Sequence, residues 1–256
     1  MSLNVEIARF RFAKEPDPIL TNVNIRVNSG EIVSLMGASG VGKSTVARIA
    51  CGLVRDSEEF EGSVICNGEP LMQPEAPVSL VIQDYKRAIF PWLSVKENLV
   101  LGVADRAQRR KCRSTLDSNP IVETLGISDL LSFYPKKMSG GQLQRIQIGR
   151  ALLAGSSFLV LDEPGTSLDL PTRRKLYQVL DELGQHQNIG ILIVTHEIDE
   201  AVLISNRIIS LTRPSGRPST LGEFSGLRSS SGHETTLHYS NEFHAVCDRV
   251  ERAIYS

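Results

Sequence analysis

The run Gly37-Ala38-Ser39-Gly40-Val41-Gly42-Lys43-Ser44-Thr45 has the residue types and spacing of a phosphate cradle, G-x-x-x-x-G-K-[ST]. Backbone N–H groups must converge on the anion, and bulky side chains at the glycines would block them. Lys43 can carry a positive charge to the outer phosphates, and the Ser44 hydroxyl can ligate Mg2+. A helix opening near Lys43 adds the positive end of its dipole. Alone, the loop implies binding of ATP or GTP. A second chemical pair, Asp162-Glu163, closes the apolar run Phe158 to Leu161. One acid can hold Mg2+ while the next orients or deprotonates a water. Acids before Pro164 could equally mark a helix N-terminus; beside a phosphate loop the catalytic reading is preferred.

These residues need elements to hold them. Ile32–Met36, Val78–Ile82, Phe158–Leu161 and Ile191–Val194 are short, nearly continuous apolar runs. Such runs predict strands buried on both faces, as in a parallel sheet covered by helices. Each ends in polar residues: the glycine loop, Gln83, Asp162-Glu163 and Thr195-His196. Open α/β sheets collect ligands at those carboxyl ends. Val5–Phe12 and Ile19–Val27 alternate loosely across Glu15-Pro16-Asp17-Pro18, which predicts an antiparallel β layer. From about Asp84 to Lys137, helix formers predict a helical insertion. Beyond Gly222 the run Ser229-Ser230-Ser231-Gly232 predicts a linker. A final helix over Asn241 to Tyr255 then presents Phe243, Val246, Val250 and Ile254 on one face. The expected division is a single domain over 1–222, with about 84–137 inserted in it, and a linker and packing helix over 223–256.

Of the 256 residues, 41% are hydrophobic and 22% charged, enough for a sizeable core. A net charge of −1 gives no reason to expect a nucleic-acid partner. No apolar run reaches the ~18–20 residues of a membrane span, and Met1–Glu6 lacks a signal-peptide pattern, so a cytoplasmic location is expected. Cys51, Cys66, Cys112 and Cys247 form no C-x-x-C pair, which predicts free thiols.

Met138-Ser139-Gly140-Gly141-Gln142-Leu143-Gln144-Arg145 resembles the signature of ATP-binding cassette (ABC) ATPases, usually written LSGGQ. Phosphate loop, Gln83, Ser139–Gln142, Asp162-Glu163, Ser167-Leu168-Asp169 and His196 also follow in that family's order, and the likeness spans about residues 3–212. It implies an α/β fold: a P-loop NTPase ABC cassette with a RecA-like parallel-sheet core, an N-terminal antiparallel β layer and a helical subdomain. It also implies ATP and Mg2+ as cofactors. Gln83 resembles the Q-loop glutamine that senses Mg2+ and the γ-phosphate. Asp162 resembles the metal-side acid, Glu163 the catalytic carboxylate and His196 the switch histidine. Asp169 resembles the D-loop aspartate. Ser139, Gly140, Gly141 and Gln142 resemble a clamp that closes on ATP held by a second cassette, identical or paralogous. Phe12, with Phe10 as fallback, is the candidate for stacking on adenine. Met138 for leucine, Gly165 after Pro164, and Gly149 for alanine depart from the pattern without removing a chemical group.

The single cassette and the short stretch from Lys43 to Ser139 argue against translation-type and DNA-repair ABC proteins. Gln83–Leu99, above all Pro91-Trp92-Leu93-Ser94-Val95, is similar to importers of the nitrate/sulfonate/taurine group. That likeness implies a separate membrane permease, a solute-binding protein and a position on the inner face of the cell membrane. Phe90, Pro91 and Trp92 are expected at the permease dock, with Trp92 partly in the core. A non-transport regulatory or assembly clamp is the alternative. A structural module with little turnover is disfavoured by Glu163 and His196.

Overall fold

Alternation at the start of the chain forms a hairpin layer. In the computed structural model, which describes residues 1–71, 77–213, 219–228 and 241–255, β1 (Ser2–Phe12) pairs antiparallel with β2 (Leu20–Asn28), Val5 opposite Ile25. The other edge of β1 takes β4 (Glu58–Cys66), followed by the short β5 (Glu69–Pro70). Sheet order is β2-β1-β4-β5. Strand β4 was not anticipated. Its first half, Glu58-Glu59-Phe60-Glu61, is dominated by acids, and only Val64 and Cys66 on it are fully buried. Partner strands, rather than local pattern, place it.

The second sheet is the expected parallel core. β3 (Ile32–Met36), β6 (Val78–Val81), β7 (Phe158–Asp162), β8 (Gly190–Val194) and β9 (Arg207–Thr212) run parallel, and β10 (Thr220–Ser225) adds antiparallel to β9. Order is β10-β9-β3-β8-β7-β6. Every residue of β3 and β8 is buried, as strands covered on both faces require. Because β8 lies between β3 and β7, the residues after all three converge on one edge. β10 continues the sheet through the boundary expected at residue 222, to Ser225.

Helix α1 (Lys43–Ala50) fills the space between the sheets, and Val46, Ala47, Ile49 and Ala50 join one core with Val5, Ile7, Phe10, Val33 and Leu35. On the opposite face, α6 (Gly140–Leu153) and α7 (Leu170–Gln187) build a second core. It is shared with the insertion helices α2 (Tyr85–Ala88), α3 (Val95–Val100), α4 (Arg106–Thr115) and α5 (Pro120–Thr124). A Cβ on Gly149 would come 2.7 Å from Leu99 Cδ2 and 2.8 Å from Leu125 Cδ1, so crowding by those leucines selects glycine there. A third core joins Met36, α8 (Ile198–Ile204), β9 and the C-terminal helix α9 (Asn241–Tyr255). Phe243, Val246, Val250 and Ile254 form the buried face of α9, as their spacing predicts. The predicted Ser/Gly linker over 229–232 lies outside the described residues. All four cysteines are free, and no described helix is long and apolar enough to cross a membrane.

Candidate functional site

β3 delivers the chain into the glycine loop, and Gly42 caps α1 with φ 113°, a left-handed conformation that a side chain would strain. Behind the loop, Lys43 is buried, and its Nζ donates to the carbonyls of Gly37 (2.8 Å) and Ala38 (3.0 Å). The ammonium is thus held against the loop it is expected to serve. Burial lowers the Lys43 pKa, while the charges of Glu163 and Asp162 act to raise it. Ser44, the next residue, donates its hydroxyl to Asp162 Oδ1 at 3.2 Å. Burial pushes the Asp162 carboxyl up; the Ser44 bond opposes this, nearby Glu163 adds to it, and Lys43 opposes it.

Glu163 leaves β7 in a left-handed conformation, φ 49°, with its N–H bonded to Val194 O at 2.9 Å. That turn aims the carboxylate away from Asp162 and into a small polar group. Gln83 Nε2 and Thr166 Oγ1 each donate to Glu163 Oε2 at 3.2 Å. His196 Nδ1 lies 3.4 Å from Glu163 Oε1, and its Nε2 lies 3.3 Å from Glu197 Oε1. Gln83 follows β6, Glu163 follows β7 and His196 follows β8, so neighbouring strands bring the three together. Thr166 was not anticipated, because nothing in its local sequence marks it; only the turn at Glu163 brings it to the carboxylate.

The signature residues sit elsewhere. Ser139 caps α6, accepting from the Gln142 N–H at 3.3 Å, and Gln142 Oε1 accepts from the Ser139 N–H at 2.9 Å. This reciprocal capping box satisfies two helix-end donors. Gly140 and Gly141 are crowded: an added Cβ would meet Tyr85 Oη at 2.5 Å and Thr172 Cγ2 at 2.2 Å respectively. Asp169 caps α7, accepting from Thr172 N–H at 3.1 Å. Hydrogen bonds from Thr172 hold its carboxyl below the usual aspartate value. Among the described residues, no hydrogen bond joins Ser139–Gln142 to the loop over 37–45. Phe12 is half-buried and meets Phe10 edge-to-face at 5.2 Å, whereas Phe10 is fully buried and has no free face.

Trp92 departs from expectation. It is 69% exposed rather than partly in the core. The reason is Asn98, fully buried, which donates to the carbonyls of Phe90, Leu93 and Ser94 and accepts from Phe90 N–H. Arg150 adds bonds to Ala88 O and Asn98 O and lies over the Phe90 ring at 5.6 Å. This polar hub rounds the chain into a bulge that carries Phe90 and Trp92 outward, 5.3 Å apart.

The family model described as ABC transporter matches residues 20–166. The aliphatic sulfonates import ATP-binding protein SsuB of Bacillus licheniformis is 35% identical over 221 residues, 85% of this chain and 82% of that protein. The protein SsuB 1 of the same description from Xanthomonas axonopodis pv. citri is 33% identical over 245 residues, 94% of this chain and 93% of that one. Among solved structures, cbiO1 from Clostridium perfringens, part of the ABC transporter complex cbiONQ, shares the fold. Its TM-score is 0.69 at 24% identity, covering 81% of this chain and 83% of that one. A dimeric post-hydrolysis state of an ATP-binding cassette bound to ADP and Pi aligns with TM-score 0.66 at 27% identity, over 90% of this chain and all of that one.

Proposed function

This chain belongs to the ABC transporter family, and on that premise we propose that it is the ATP-hydrolysing subunit of an importer for small organosulfonate-like solutes. The observation that carries the reading is the meeting of Gln83, Glu163 and His196 at adjacent strand ends, beside a phosphate loop whose Ser44 already touches Asp162. The solute class comes from relatives named for aliphatic sulfonates import.

Glu163 takes the role of orienting and deprotonating the attacking water, with Gln83, Thr166 and His196 fixing its carboxylate. Lys43 exchanges its bonds to the loop carbonyls for the outer phosphates of ATP. Phe12, the aromatic with an open face, stacks on the base. Ser44 and Asp162 offer a hydroxyl and a carboxylate oxygen, with the Gln83 amide oxygen as a third hard donor, a set suited to Mg2+. Those three residues would hold the ion, which would supply positive charge against the phosphate oxygens.

No hydrogen bond among the described residues joins Ser139–Gln142 to the chain's own phosphate loop, and we read the two as halves of a composite site. In this reading Ser139, Gly140 and Gly141 clamp ATP held by a second cassette, a copy or a paralogue, and Asp169 lies at the junction. Residues 1–225 form the cassette, with 84–137 as its helical subdomain and α9 as an appendage. Phe90, Pro91 and Trp92 present the apolar surface for a separate permease, which holds the subunit at the cytoplasmic membrane face; a solute-binding protein completes the system.

Glu163→Gln tests the core of this. The variant keeps the hydrogen-bond geometry but loses the base, so it is expected to bind ATP, hydrolyse it at least 100-fold more slowly and accumulate as a closed dimer in size-exclusion chromatography. Turnover equal to the parent chain would sink the assignment.

A further inference from the structure

Loop 163–169 holds Glu163 at one end and Asp169 at the other, and it rests on a polar cluster that no part of the proposed chemistry uses. Arg173, on the first turn of α7, donates from Nη2 to Leu168 O at 3.1 Å and from Nη1 to Glu200 Oε1 at 2.6 Å. The second Glu200 oxygen accepts from the Tyr177 hydroxyl at 2.5 Å. Arg173 and Glu200 are 19% and 15% exposed, so this pair is well shielded from solvent. Tyr177 is buried, and burial together with Glu200 raises its pKa, so it remains a neutral donor. Gly165, in the middle of the loop, is pressed onto the same cluster. A Cβ there would stand 2.6 Å from Tyr177 Oη and 3.0 Å from Arg173 Cδ. Glu200 lies on α8, whose first residue is two positions after His196.

We infer that Arg173, with Glu200 and Tyr177, is a positioning device that sets the distance between Glu163 and His196 by tying loop 163–169 to helix α8. One guanidinium fork holds the backbone of the carboxylate's loop and the helix following the histidine's loop. Losing the fork frees both loops while removing none of the groups assigned to ATP or to the attacking water. Misplacement of reacting groups by about 1 Å can lower a rate by up to about 100-fold without touching the chemistry itself. The bifunctional grip needs arginine: a lysine at 173 offers a point charge and cannot fork between a carbonyl and a carboxylate.

This inference rests on the ATPase reading, and the full-length chain tests both separately. Absence of ATP hydrolysis by the parent chain would sink that reading; the variants address the device. Arg173→Ala is expected to lower kcat about tenfold, with the Kd for a fluorescent ATP analogue unchanged within about twofold. Glu200→Ala should match it, and the double variant should be no slower than the slower single, because the two act as one unit. Arg173→Lys, which preserves burial and charge, should give an intermediate kcat and guards against a failure to fold. Multiplicative losses in the double variant, an Arg173→Ala kcat within twofold of the parent, or nucleotide binding lost in parallel with turnover would each overturn the proposal.

Discussion

Glu163 shows how one backbone angle sends two adjacent acids to different partners. Asp162 and Glu163 are adjacent in the chain, yet Asp162 continues the strand to face Ser44, while Glu163 turns left-handed to face Gln83 and His196. A non-glycine residue at φ 49° carries a cost, which its N–H bond to Val194 O helps to hold. Glycines in the signature answer a different demand at the same scale. Gly141 is required by the methyl of Thr172 as well as by any anion, since a Cβ would approach Cγ2 to 2.2 Å. Gly141→Ala should therefore destabilise the chain by about 1–3 kcal/mol in urea denaturation. Adding Thr172→Ser, which removes that methyl but keeps the N–H that bonds Asp169, should recover most of the loss. If stability does not return in the double variant, the crowding argument fails.

At the level of elements, the insertion between β6 and β7 is anchored by polar contacts at its surface bulge. Asn98 sits at 0% exposure inside α3 and satisfies four backbone groups of the loop ahead of it. Removing it takes this partner from the Phe90 N–H and Leu93 O, while Phe90 O and Ser94 O keep the N–H groups of Leu93 and Asn98. Asn98→Ala is expected to cost about 2–4 kcal/mol, measured by chemical denaturation. Trp92, by contrast, stands outside on the tip of that bulge. Trp92→Ala should change stability by no more than about 0.5 kcal/mol and leave ATPase activity of the isolated chain intact, while weakening recovery of the chain on permease-containing membranes. A stability loss like that of Asn98→Ala would mean the ring is packed rather than presented.

For the molecule as a whole, three cores meet around one sheet: the β layer with α1, the helical insertion with α6 and α7, and the β9–α8–α9 corner. The first core holds α1, which follows the glycine loop, and the second holds α6 and α7, which Ser139 and Asp169 cap; no hydrogen bond among the described residues joins Ser139–Gln142 to the loop over 37–45. If the working site spans two copies, variants defective in different halves should complement. Lys43→Ala and Ser139→Ala chains should each be nearly inactive alone. Mixed, they form heterodimers with one intact composite site and should regain up to about a quarter of parental turnover, half of the dimers carrying one of two sites. A mixture no more active than its components would argue for a site complete within one chain.

Much of this was legible in the residues. The glycine loop, the acids after an apolar run and the ends of four apolar strands carry local signals, because phosphate binding and burial each impose residue types over a few consecutive positions; β6, at the sheet edge, is buried only at Val78 and Val81. The buried face of α9 was legible for the same reason, a helical period. Strand β4 was not, since acids on its exposed face mask the alternation and pairing with β1 selects it. Nor was the outward position of Trp92, which depends on Asn98 and Arg150 reaching across the fold. The sequence determined which groups the chain carries to the carboxyl edge of its sheet. Only the tertiary structure decided which of them meet: the order β3-β8-β7-β6 sets His196, Glu163 and Gln83 side by side, the turn at Glu163 adds Thr166, and Arg173 ties loop to helix. Such contacts join residues far apart in the chain, and their geometry comes from packing rather than from any neighbour in sequence.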